Sequence, residues 1–178
     1  GERLTNLIND VLDLAKIESG RMEWHLRPVF LQDVISRAIA STSALFEEKK
    51  LKLKTNISPD LPLVSADEDK LIQVVINLLS NAVKFTDKGK VRIEAYLDNG
   101  QIMVEVQDTG IGIAAEHQNH IFERFSQADQ AISQNYGGLG LGLAIAKENA
   151  SLLNAKLTLK SNLGEGTLFL LSFKDNFK

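Results

Sequence analysis

The sequence predicts a two-layer α/β sandwich. Three observations lead there. A helix-period stripe over about residues 68–85 (Leu71, Val75, Leu78, Leu79, Ala82) marks one amphipathic helix with a strong buried face. Two pairs of period-2 segments, 91–97 with 102–107 and 156–160 with 167–173, are joined by the turn signals Asp98-Asn99-Gly100 and Gly164-Glu165-Gly166. The order of these strands and helices departs from simple βαβ alternation, which favours helices stacked on one sheet over a doubly wound fold.

Residues 4–17 read as a helix whose Leu4, Leu7, Val11 and Leu14 fit a heptad seam, with Ser19-Gly20 as its stop. Its apolar stripe also takes in Ile8, Leu12, Ala15 and Ile17 and is wide for so short a helix. It needs a partner: the chain's own core, a second copy, or a helix outside this sequence. The chain opens inside this helical pattern, so a piece of a longer protein is expected. Residues 22–30 look extended, with Pro28 near the end. Residues 31–50 carry Val34, Ile35, Ala38, Ile39, Thr42 and Leu45 at helical spacing. Residues 51–57 alternate as a half-buried strand, and Ser58-Pro59-Asp60 with Leu61-Pro62 makes a loop. Asp67, Glu68 and Asp69 stand where a helix start favours acidic groups. Asp87-Lys88-Gly89-Lys90 is a turn, and 139–153 reads as a further helix. Between them, residues 113–138 show no sustained pattern, which inside a compact domain suggests a functional lid over about 114–137.

The chain has 178 residues, 44% hydrophobic and 24% charged, which suits one globular domain with an appendage. No apolar run approaches the roughly 20 residues that span a bilayer. A net charge of −3 argues against nucleic acid as the main partner. The absence of cysteine excludes disulfides and cysteine-based sites, and fits a reducing compartment.

Asn77, Asn81 and Lys84 fall at i, i+4 and i+7 on one face of the amphipathic helix, away from its apolar stripe. Carboxamide oxygens suit Mg2+ and an ammonium suits a phosphate. A solvated polar face explains the same spacing about as well. Asp108-Thr109-Gly110-Ile111-Gly112 follows a strand. Its carboxylate could accept from an exocyclic amine, with the glycines letting backbone approach a flat ligand, or it could merely close an Asx turn. Gly137-Gly138-Leu139-Gly140-Leu141-Gly142 opens a helix and could offer N–H groups to phosphate or serve as a hinge. It lacks the spacing of a dinucleotide fingerprint and the Gly-Lys-Ser/Thr of a P-loop. Gly164-x-Gly166-Thr167 alone is a plain hairpin turn.

The order of these pieces, with Phe122-Glu123-Arg124-Phe125 between the glycine motifs, closely resembles the ATP-binding catalytic domain of sensor histidine kinases, in the GHKL superfamily. The resemblance covers about residues 25–174: the N box at 77–85, the G1 box at 108–112, the F box at 122–125, the G2 box at 138–142 and the last glycine motif at 164–167. It implies a GHKL (Bergerat) sandwich with a mixed sheet on three helices. It also implies that residues 1–20 end a dimerisation helix and 21–178 form the ATP-binding domain. By the same resemblance Asn81 would coordinate Mg2+, Asn77 would support that site, and Lys84 would meet a phosphate. Phe85 would stack near adenine or ribose, and Asp108 would bond the adenine amine, partly through water at Gly112 and Thr167. The resemblance also implies that Gly110 and Ile113 would help bind the nucleotide. Gly138, Leu139, Gly140, Leu141 and Gly142 would hold the lid end against the phosphates. Phe122 and Phe125 would anchor the lid, and Arg124 would reach the γ-phosphate.

The implied activity is that of a protein histidine kinase: transfer of the γ-phosphoryl of MgATP to a His on a dimerisation helix, then to an Asp of a response regulator. The implied partners are that helix, the receiver domain and a second copy of the kinase. The domain would be cytoplasmic, in a family whose members are commonly membrane-attached. Related ATPases place a general-base Glu where Asn77 stands, which argues here for transfer over hydrolysis. No His-Glu-x-x-x-Pro type acceptor motif surrounds His25, His117 or His120, so the chain alone is not expected to phosphorylate itself. Gln134 and Asn135 stand where the family has a basic residue, and Leu139 where it has Thr or Ser, which is expected to weaken phosphate binding. The alternatives are a degenerate nucleotide-binding module without transfer, a scaffold acting through the first helix, and a serine kinase of the same fold, against which that helix speaks.

Overall fold

The computed structural model describes residues 2–20, 23–123 and 142–173. Helix α1 covers Glu2–Ser19, followed by strand β1 (Arg27–Val29), helix α2 (Leu31–Lys49), strands β2 (Lys52–Ile57) and β3 (Val64–Ala66), and helix α3 (Glu68–Lys84). Strands β4 (Lys90–Asp98) and β5 (Gln101–Asp108), the short helix α4 (Ala115–Gln118), helix α5 (Gly142–Leu152), and strands β6 (Ala155–Asn162) and β7 (Gly166–Phe173) complete the order. One five-stranded sheet has the order β2-β4-β5-β7-β6, with β2 parallel to β4 and every other pair antiparallel. A separate two-stranded ribbon pairs β1 with β3. The expected mixed sheet on three helices is what forms: α2, α3 and α5 cover one face.

The core follows from the alternation in the strands. Ile102, Val104 and Val106 of β5 and Phe169, Leu171 and Phe173 of β7 point inward and are buried. They meet Leu71, Val74, Val75, Leu78, Leu79, Ala82 and Val83 of α3, whose stripe is buried as expected. Asp67 caps this helix by accepting the Lys70 N–H, and its other oxygen accepts the His25 N–H at 3.0 Å. A second pin lies at the far end. The Lys49 ammonium, at the end of α2, donates to the carbonyls of Val83 (2.8 Å), Lys84 (3.0 Å) and Thr86 (3.3 Å). A cation on these terminal carbonyls satisfies groups a helix leaves open and complements its dipole.

Three features differ from the sequence reading. The strand β3 was not anticipated, because three residues between a Pro-rich loop and a helix show no period. The segment after Ile113 holds one turn of helix, α4, where no regular structure was expected, and residues 124–137 of the expected lid lie outside the described residues. For α1, the own-core partner holds for part of the stripe. Leu14 is buried against Ile145 of α5, and Asp13 accepts from the Gln73 side chain at 3.1 Å. Ile8, Val11 and Leu12 stay about half exposed. Among the described residues no helix is long and apolar enough to cross a membrane.

Replacing Lys49 by Met keeps the stem packing but removes the cap, and should cost about 1–2 kcal/mol in urea unfolding. An unchanged midpoint would show that the carbonyls at the end of α3 are served equally well by water.

Candidate functional site

The site is built where three strands of the sheet meet the ends of α3 and α5. Asp108 ends β5, and the register places Thr167 of β7 opposite it and Ser161 of β6 opposite Thr167. A polar row therefore crosses three strands at one level, next to the apolar core. Asp108 is buried, and its Oδ1 accepts two backbone N–H groups, from Gly110 at 2.9 Å and Thr167 at 3.2 Å. Among the described residues no hydrogen bond reaches Oδ2. The Asx turn and the ligand acceptor are thus compatible, since one oxygen closes the turn and the other is left for a donor. Burial pushes the Asp108 carboxyl above the usual carboxylate range, and the two N–H groups oppose that rise.

The glycines of this loop also let the loop pack closely on the protein's own backbone. A Cβ on Gly110 would strike the Phe85 carbonyl, and one on Gly112, at φ +72°, would strike the Asn162 carbonyl. The close approach they permit is of the loop to the end of α3 and to the β6–β7 turn. Hydrogen bonds fix the same contacts: Ile111 N–H to the Phe85 carbonyl, Gly164 N–H to the Ile111 carbonyl, and Ile113 N–H to Ser161 Oγ. Gln118 of α4 donates to the carbonyls of both Ile113 and Ser161 at 2.8 Å. Ser161, Gln118 and Lys49 are residues that sequence reasoning missed. Each acts on backbone groups brought near only by the fold, so no local signal marks them.

At the other end, the Asn77 carboxamide donates to the Gly142 carbonyl at 3.2 Å, tying α3 to the first residue of α5. Asn81 lies one turn on, half-buried, and its carboxamide makes no hydrogen bond among the described residues. The Lys84 ammonium lies 5.3 Å from the centre of the Phe85 ring. Phe122 packs edge-on against Phe169 of β7, with ring centres 6.2 Å apart, and the Lys147 ammonium sits 4.9 Å from its ring centre. The structure thus links Asp108, Gly110, Ile113, Thr167 and Phe85 through hydrogen bonds, with Gly112 tucked against the Asn162 carbonyl, and Asn77 with Gly142 in a second contact, with α3 running between them. Arg124, Phe125, Gly138, Leu139, Gly140 and Leu141 lie outside the described residues. His117 and His120 pair with Glu116 and Glu123, and no cluster that could hold a metal through His, Asp and Glu occurs among the described residues.

Two outcomes follow from this geometry. Between the ordinary carboxylate value and the raised one of Asp108, the folded chain holds more protons than the unfolded chain. Stability from this group is full below pH about 4 and is lost as pH rises through the folded value. Asp108→Asn lacks this loss, so unfolding free energies measured across that window should move in the variant's favour with rising pH. Parallel profiles would contradict the burial argument. Gly110→Ala should cost about 1–3 kcal/mol, since the methyl must displace the Phe85 backbone.

The family model for histidine kinase-, DNA gyrase B- and HSP90-like ATPases matches residues 66–176. The circadian input-output histidine kinase CikA of Synechococcus elongatus is 37% identical over 95% of this chain, which spans 23% of that relative's length. The sensor protein GacS of Pseudomonas syringae is 35% identical over 97% of this chain, which spans 20% of its length. Among solved structures, full-length ShkA in complex with AMPPNP superimposes with a TM-score of 0.85 at 33% identity, over 97% of this chain and 36% of that one. The chain belongs to the histidine kinase-, DNA gyrase B- and HSP90-like ATPase family and, within it, to the ATP-binding catalytic domains of two-component sensor histidine kinases.

Proposed function

We propose that this domain holds MgATP with adenine at Asp108 and phosphates at the paired starts of the α3 polar face and α5, and presents the γ-phosphoryl to a histidine on a dimerisation helix. The observation that carries this reading is the buried Asp108, with Oδ1 saturated by two N–H groups and Oδ2 left to accept. An ionised carboxylate oxygen at that depth accepts the exocyclic amine of adenine through a charge-assisted bond. The first turn of α5 supplies open N–H groups to phosphate, and Lys84 supplies charge. Arg124, Phe125 and the Gly138–Leu141 run complete the phosphate side in the same reading.

Asn81 fits a magnesium ion held mainly by phosphates and water. It offers a neutral, hard carboxamide oxygen that no donor among the described residues occupies, on the same helix face as Lys84. Bound there, the ion would neutralise phosphate charge. Asn77 cannot serve as a base, because a carboxamide takes no proton from water and its Nδ2 is engaged with Gly142. The domain therefore positions and neutralises, with transfer to an external acceptor and little hydrolysis. The receiver domain of a response regulator then takes the phosphoryl group, and a second copy of the kinase completes the dimer. The relatives are sensor and hybrid kinases several times longer than this chain, in keeping with such partners.

Incubated with radiolabelled MgATP and an acceptor dimerisation-helix domain supplied in trans, the chain should label the acceptor and not itself. Asn81→Ala should lower transfer by about 100-fold or more and weaken the dependence on magnesium. Nucleotide binding without acceptor labelling across several acceptor domains would favour the degenerate module.

A further inference from the structure

The polar row across β5, β7 and β6 contains a hydroxyl pair whose protons the distances assign. Ser161 Oγ and Thr167 Oγ1 lie 2.8 Å apart. Ser161 Oγ is also 2.8 Å from the Gly166 carbonyl oxygen, and it accepts the Ile113 N–H at 2.8 Å. A serine hydroxyl carries one proton and a carbonyl oxygen none. The proton between Ser161 and Gly166 must come from Ser161. The proton between the two hydroxyls must then come from Thr167. Thr167 has thereby committed its only side-chain proton, and its oxygen meets other neighbours as an acceptor.

We infer that Ser161 is a positioning residue for base specificity: by drawing the Thr167 proton toward itself, it makes Asp108 and Thr167 a pair of acceptors. Such a pair takes the exocyclic amine of an adenine nucleotide and rejects a 6-oxo purine, whose oxygen would face lone pairs with no proton between. Gln118 supports the arrangement from outside. Its Nε2 donates to the backbone carbonyls of Ser161 and Ile113, so the serine and the N–H donor to its hydroxyl are both held in place. The inference rests on the adenine reading of the Asp108 site.

The test is calorimetric titration of the full chain with magnesium and non-hydrolysable ATP and GTP analogues. Wild type should prefer the ATP analogue. Ser161→Ala releases the Thr167 proton, so ATP affinity should fall about tenfold, near what one hydrogen bond is worth, while GTP affinity rises. Ser161→Thr keeps a hydroxyl and should keep the preference. An unchanged ATP-to-GTP ratio in Ser161→Ala, or a ratio lost as fully in Ser161→Thr, overturns the inference. Should the Ala variant not fold, Ser161→Cys keeps the volume with a weak donor, and a wild-type ratio there overturns it equally. Wild type that binds neither analogue overturns the adenine reading itself, so the two failures are told apart.

Discussion

The site depends on one buried carboxylate. Asp108 ends the central strand β5, next to apolar side chains that would ordinarily force it to neutralise. Two backbone N–H groups, one from its own loop and one from β7, hold one oxygen and reduce that tendency. Placing them requires that Gly110 tuck under the end of α3 and that β7 pair in its observed register. The carboxylate therefore ties together the loop, the helix end and the strand. Among the described residues the second oxygen has no donor, which is what a recognition group requires.

The other end of the candidate site is organised through helices. Helix α3 is pinned at its start by Asp67 and at its end by Lys49, so its polar face is presented at a fixed height above the sheet. Asn77 bonds the first residue of α5 and so joins the two helices. None of these three contacts is chemistry. Each fixes where chemistry takes place, in keeping with a domain that contributes mostly position and charge.

Much of this was legible in the sequence, for physical reasons. The α3 stripe and the paired strands are periodic, so the elements and their buried faces could be read directly. Asn77, Asn81 and Lys84 stand out because they share one helix face away from that stripe, and Asp108 because it follows a strand and leads into a glycine turn. The strand β3 was not legible, since three residues carry too little period and form only against β1. The role of Gly110 and Gly112 was half legible. Their need for close approach was clear, but that the end of α3 and the β6–β7 turn are among the surfaces approached was not. Ser161 and Gln118 were invisible because their importance arises from register across strands and from a turn of helix after Ile113, neither of which a local pattern reports. For α1, the heptad seam announced an apolar stripe, and only the fold shows that Leu14 alone of the described large apolar residues is fully covered.

The central claim is that Asp108 holds the nucleotide base through its open oxygen. The most direct measurement is the dissociation constant of a non-hydrolysable MgATP analogue for wild type and for Asp108→Asn, by calorimetry at neutral pH. Folding of the variant would be verified in the same samples by circular dichroism. One charge-assisted bond contributes roughly 1.5–3 kcal/mol, so the variant should bind about one to two decades more weakly. Equal affinity in two folded proteins would contradict the account, and would place the base elsewhere in the domain.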